Sequence, residues 1–139
     1  MIRQRGEFKF RQNLSKLKSK KSTLPTILGN MATNFFLDSF RKQGFTDTGF
    51  SPWAKRKGNT DPSRAILIGK RGGHLKKSIQ LKLATWKKII LGSTGIKYAV
   101  YHNEGIGKQP QREFIGDSKT LERKLNKRIQ LELNKIFTK

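Results

Sequence analysis

The sequence predicts an α+β fold, with a small antiparallel sheet packed with an N-terminal amphipathic helix and a long C-terminal helix. Three observations predict it. Over 24–43, apolar residues (Leu24, Ile27, Leu28, Met31, Ala32, Phe35, Phe36, Phe40) recur at three- and four-residue steps, the stripe of a half-buried helix. The period then drops to two across Ile79, Leu81 and Leu83, which alternate with Gln80, Lys82 and Ala84 as in a half-buried strand. Near the end, Leu121, Leu125, Ile129, Leu133 and Ile136 return to helical spacing.

The first helix has a capping residue in Thr23, a first-turn proline in Pro25 and a terminating glycine in Gly44. Ahead of it, residues 1–23 carry Arg3, Arg5, Lys9, Arg11, Lys16, Lys18, Lys20 and Lys21 against one acid, Glu7. Phe8 and Phe10 alternate as in a strand, while Leu14 and Leu17 have helical spacing. Two readings stand: a basic arm that orders on contact, or a frayed helix start with a solvated face. The domain division is therefore 1–23 as an arm or extension and 24–139 as a single α+β domain.

Residues 45–75 are rich in loop signals. Phe45 and Phe50 flank Thr-Asp-Thr-Gly, and Asn59 to Ser63 reads as a further turn. Trp53 directly precedes Ala54 and the cations Lys55, Arg56 and Lys57. Such a tryptophan either anchors a loop on the core or stacks a base or guanidinium. Gly69-Lys-Arg-Gly-Gly73 is too short between its first glycines, and ends in the wrong residues, to be a Walker loop. Lys70 and Arg71 there can still touch phosphate without specificity.

Ile89-Ile90-Leu91 pairs with the first strand as an antiparallel hairpin. Ile96, Tyr98 and Val100 alternate once more, although Tyr98 to His102 equally suits a short helical turn. Residues 103–116 form a Gly- and Pro-containing loop that enters a short extended segment at Arg112. Asp117 or Ser118 caps the last helix, which runs to about Phe137. Within it Glu132, four residues after Arg128, adds only weak support.

Composition narrows the function. The chain has 139 residues, enough for one modest core at 34% hydrophobic content. Its net charge of +22 favours contact with a polyanion or an acidic partner. Cysteine is absent, which excludes disulfides, thiolate metal sites and cysteine nucleophiles. No apolar run approaches the length of a membrane span, so no membrane partner is expected, and no leader pattern follows the basic N-terminus. Two histidines and nine scattered acids offer no metal-ligand or triad spacing, so no cofactor and no catalysis are expected. His102 and Glu104 could share a strand face and hydrogen-bond, but a third catalytic group is lacking.

From residue 45 onward, a series of short motifs occurs in fixed order. They are Trp53; Ile66-Leu67-Ile68; Gly73-His-Leu75-Lys-Lys-Ser78-Ile79; Tyr98-Ala-Val-Tyr-His102-Asn-Glu-Gly105; and Pro110-Gln-Arg112-Glu-Phe114-Ile-Gly116. In this order the chain resembles the phage virion morphogenesis family of Mu-type tail-completion proteins and related tail or neck components. It departs from the pattern at Gly72, where Thr is usual, at Asn103, where Gln is frequent, and at Glu113, where Pro is common.

The resemblance implies a structural, non-catalytic virion protein, assembled in the host cytoplasm into the tail or neck. It implies a homo-oligomeric ring, with six subunits one candidate count, stacked against other neck or tail proteins. Trp53, Leu75, Ser78, Tyr98, His102, Gly105, Pro110, Arg112 and Phe114 would then serve the fold or a subunit interface. Arg112 would bond a carboxylate or backbone carbonyls, within the fold or across a boundary. Arg3, Arg5, Lys18, Lys20, Lys21, Lys55, Arg56, Lys57, Lys70 and Arg71 would contact acidic partners or, non-specifically, genomic DNA in the channel. Charge alone supports a different expectation, a small sequence-independent nucleic-acid-binding protein. A nuclease or toxin-like enzyme is a third and weaker one.

Overall fold

The structure, a computed structural model, describes residues 2–57, 65–68 and 73–137, and in the first helix the side chains of 12, 15–18 and 23 onward. Helix α1 spans Ile2–Lys42. Strands β1 (Gly44–Thr46) and β2 (Phe50–Pro52) form a short hairpin. Helix α2 (His74–Ser78) leads into β3 (Ile79–Ala84), which pairs antiparallel with β4 (Ile89–Ser93). Helices α3 (Ala99–Glu104) and α4 (Lys119–Phe137) complete the α+β fold.

The expected apolar stripe lies on α1, but the boundary at Thr23 does not. The helix is continuous across it, and Pro25 sits in its interior. Proline there removes one i→i−4 hydrogen bond, a cost that the buried face beyond it offsets. Leu24, Leu28, Ala32, Phe36 and Phe40 are all buried along that face. Gly44 does not end the helix either. The left-handed residue is Gln43, at φ 59°. Gln43 is held there by its side chain, whose Nε2 donates to the Phe40 carbonyl (2.6 Å) and the Ile66 carbonyl (3.1 Å) while Oε1 accepts from the Ile66 amide. Gly44 is needed for space instead: a Cβ there would fall 2.5 Å from the Phe50 ring and the Ser51 carbonyl.

Helix α1 is the platform, touching β1, β3, β4 and α4. The β3–β4 hairpin lies so close to it that a Cβ on Gly29 would meet Leu81 at 2.7 Å. Two apolar clusters result. In one, Phe40 meets Trp53 edge-on at 5.5 Å and Phe114 at 5.4 Å, with Leu75, Ile79 and Ala99 around them. In the other, Phe36 stacks on Phe45 at 6.4 Å between Ala32 and Leu121.

The predicted hairpin of β3 and β4 forms with a bulge between Leu81 and Leu83. Two elements differ from expectation. Residues 45–52 pair as a hairpin rather than a plain turn. Residues 74–78 are a helix, where the expectation is loop to 75 and sheet from 76. Of the two readings at Tyr98–His102, the helical turn is the one adopted. Glu132 is also more than weak support: it is 1% exposed, with Arg128 Nε 3.0 Å and Lys135 Nζ 3.5 Å from Oε1.

The start of α4 is tied to the first hairpin. Ser118 Oγ accepts from the Leu121 amide (3.1 Å) and donates to the Thr46 carbonyl (2.6 Å). Asp47 Oδ1 accepts from the Lys119 amide at 2.8 Å. Ser118, not Asp117, is therefore the capping residue. Ser118→Ala should lower the unfolding free energy by about 1 kcal/mol or more, since both a cap and a hairpin tie are lost. Asp117→Ala should cost under about 0.5 kcal/mol in the same urea titration. Equal losses would reassign the cap.

Candidate functional site

The site is built by two segments outside the sheets, 53–57 and 110–116, that hold each other. Trp53 is buried in the first cluster, and its indole N–H donates to the Glu113 carbonyl at 2.8 Å. In return Arg112 sends Nε to the Ala54 carbonyl at 2.8 Å and Nη2 to the Lys55 carbonyl at 3.2 Å. Each donor needs such a partner because burial removes its water. Of the alternatives left open for Trp53 and Arg112, the structure adopts a loop anchor for one and bonds to backbone carbonyls within the fold for the other.

Helix α3 supports this clamp from behind. Gly105 ends it in the left-handed region at φ 69°, and its N–H donates to the Tyr101 carbonyl at 3.0 Å. A side chain there would also strike the backbone of Gln111 at 3.0 Å, so glycine serves both turn and packing. The Arg112 amide donates to the His102 carbonyl at 2.7 Å. Asn103 then stitches the next two residues, its Oδ1 accepting from the amides of Phe114 (2.8 Å) and Ile115 (3.0 Å) and its Nδ2 donating to the Ile115 carbonyl (2.9 Å). Phe114 is thereby delivered into the core, 2% exposed.

On one side of the clamp lies a recess of about 550 Å³. Lys55, Arg56, Lys57, Lys108 and Arg112 give it five cationic side chains. Ile66, Ile68 and Leu75 supply an apolar wall, and Tyr98 and His102 an aromatic one. Arg112 is only 6% exposed, and among the described residues no carboxylate reaches it. Burial lowers its pKa, and neighbouring Arg56 lowers it further. Tyr98 and His102 meet edge-to-face at 5.9 Å, as their i, i+4 spacing on one turn requires. His102 Nδ1 is buried with no hydrogen-bond partner among the described residues. Burial, and then the charge of Arg112, hold its pKa below the ordinary imidazole value.

The opposite side carries the opposite sign. A second recess, of about 490 Å³, is lined by Asp47, Glu113 and Asp117 beside Phe45, Pro52 and Trp53. Burial raises the Glu113 carboxyl above its usual range, and Glu104, Asp47 and Asp117 add to the rise. These four are nearly half of the nine acids in the chain. Segment 110–113 divides the two recesses: Pro110 and Arg112 line the basic one, Gln111 and Glu113 the acidic one.

The clamp thus gathers Trp53, Leu75, Tyr98, His102, Pro110, Arg112 and Phe114 around one locus. Ser78 stands beside it at the end of α2, its Oγ bonded to the Leu75 carbonyl and, at 2.6 Å, to Ser93 Oγ. The pairing of His102 with Glu104 that their spacing allows does not form; Glu104 accepts from Asn103 Nδ2 at 3.1 Å. Lys18 is exposed on α1. The side chains of Arg3, Arg5, Lys20 and Lys21, the residues Lys70 and Arg71, and the expected turn at 59–63 lie outside the described residues. Sequence reasoning missed Lys108, Asn103 and Gln43. Lys108 had no signal beyond its charge, while Gln43 beside Gly44 and the departure from the motif pattern at Asn103 were the only hints of the others. Among the described residues no three His, Asp or Glu side chains converge as metal ligands, and no helix is long and apolar enough to cross a membrane. No family model, curated protein or solved structure matches the chain.

Two outcomes follow from this geometry. Because folding favours neutral His102, the unfolded chain binds more protons. The stability it contributes is complete above about pH 6.5 and is lost as pH falls toward the lowered folded value. Urea unfolding across that range should therefore show a slope that His102→Gln flattens; coincident slopes would refute the buried neutral imidazole. Arg112→Lys should lose about 2 kcal/mol or more by the same measurement, because one ammonium cannot reach both carbonyls in the planar fork geometry.

Proposed function

We propose that this chain is a structural protein of a phage virion, completing the tail or joining tail to head as a subunit of a homo-oligomeric ring. One observation carries the reading. The motif residues that give the chain its resemblance to the tail-completion family, scattered from 53 to 116, converge on a single clamp and its core. A motif set retained for catalysis would instead present reactive groups. Here Trp53, Arg112 and Phe114 are spent on holding two loops in one shape, and such a shape suits docking between rings. The protein would act without cofactor or catalysis, against other neck or tail proteins, after assembly in the host cytoplasm.

A second reading, sequence-independent nucleic-acid binding, is favoured by the cationic recess beside exposed Tyr98. Cations and a ring face together suit a phosphate backbone and an unstacked base. Particles purified from a phage carrying the gene discriminate the two. The protein should be found at the tail or neck by imaging, and its loss should leave heads and tails unjoined. Arg112→Ala should cut the yield of joined particles about tenfold or more, whereas Lys127→Ala, an exposed charge on α4, should leave it unchanged. Absence of the protein from purified particles would refute the virion reading.

A further inference from the structure

We infer that the basic recess beside Arg112 receives the carboxylates of a second copy of this chain, those of the face carrying Asp47, Glu113 and Asp117. This deepens the ring reading and rests on it for its biological setting, though not for its physical argument.

The first ground is Arg112 itself. A guanidinium that is 6% exposed, satisfied only by carbonyls and crowded by Arg56, leaves a positive charge that no described carboxylate balances. Buried charges of this kind gain strongly from an opposite charge at contact. Lys55 and Lys108, exposed on the same recess, extend the field outward.

The second ground is where the acids lie. In a chain of net charge +22, random placement would scatter nine acids among the cations and neutralise them locally. Three of them, Asp47, Glu104 and Asp117, instead lie close enough to Glu113 to disfavour its charge, and two of the three line its recess. Alternation along 110–113 puts the two signs back to back, so each copy presents one face of each sign. Such faces pair head to tail, and repetition closes a ring or extends a filament.

The third ground is apolar. Tyr98, Val100, Tyr101 and Ile106 on α3 and the loop after it are each nearly half exposed, and Tyr98 borders the basic recess. Aromatic and aliphatic exposure beside complementary charge is the composition of a subunit contact. A second copy is the occupant because the chain itself carries a carboxylate-lined recess of complementary sign, about 490 Å³ against about 550 Å³.

Sedimentation velocity on the purified full chain tests this with a charge swap. Lys108→Glu reverses the basic face and Asp117→Lys the acidic one; both sites are exposed, and circular dichroism verifies the fold of each variant. The wild type should self-associate. Each single variant should associate about tenfold more weakly or worse, from like charges set face to face. An equimolar mixture should recover most of the wild-type association, since the reversed faces then complement each other. Lys55→Glu with Glu104→Lys provides an independent pair should either variant misfold. A wild type that stays monomeric at low salt, singles that associate normally, or a mixture no better than the singles would each overturn the inference. So would loss of oligonucleotide binding by Lys108→Glu with its self-association intact, which would assign the recess to nucleic acid. Particle incorporation is scored separately: joined particles without swap rescue would refute this interface and spare the virion reading, and swap rescue of a protein absent from particles would do the reverse.

Discussion

Two loops with no strand ladder of their own are made rigid here by an exchange of donors. Trp53 gives its indole N–H to one loop, and Arg112 returns two guanidinium N–H groups to the other. Both donors are buried, so each would lose its water with no compensation if the other segment moved away. This coupling makes the placement of Phe114, the position of α3 and the separation of the two recesses depend on one contact. The aromatic trio of Phe40, Trp53 and Phe114 adds close-packed apolar area beneath it, but area is non-directional. The carbonyls of 54, 55 and 113 supply the direction.

Much of the scaffold was legible because periodicity reports burial. The stripes of α1 and α4 are averages over many residues, and tertiary packing agrees with them; the alternation of β3 holds only to Leu81, because past the bulge Leu83 is 38% exposed. Legibility failed where one side chain overrides a local rule. Pro25 should begin a helix, yet packing from Leu24 to Phe40 carries α1 through it. Gly44 should end that helix, yet Gln43 takes the left-handed position because its amide reaches Phe40 and Ile66. The second of these contacts spans 23 residues, a distance no window of sequence encodes. The candidate site was half visible. Trp53, Arg112 and Phe114 stood out within the ordered motifs, while the pairing of Trp53 and Arg112 with backbone carbonyls could not, because carbonyls have no letter.

Two of the three departures from the motif pattern, Asn103 and Glu113, fall on working positions. Asn103 satisfies three backbone groups of 114 and 115, a task that depends on the short reach of its amide. Glu113 offers its carbonyl to Trp53 and its carboxyl to the acidic recess. A proline at 113 would leave the carbonyl in place and remove the charge. The clamp and the charge pattern are thus separable properties of one short segment.

Gly29 has a consequence for how the hairpin finds its place. Leu81 of β3 fills the space that a side chain at 29 would occupy. One helical turn away in either direction stand Pro25 and Thr33, both larger. A shift of the hairpin along α1 by a turn would drive Leu81 into one or the other. The missing Cβ therefore works as a detent: it selects a single axial position on a helix whose apolar face is otherwise repetitive, and with it the height at which Ile79 and α2 enter the core.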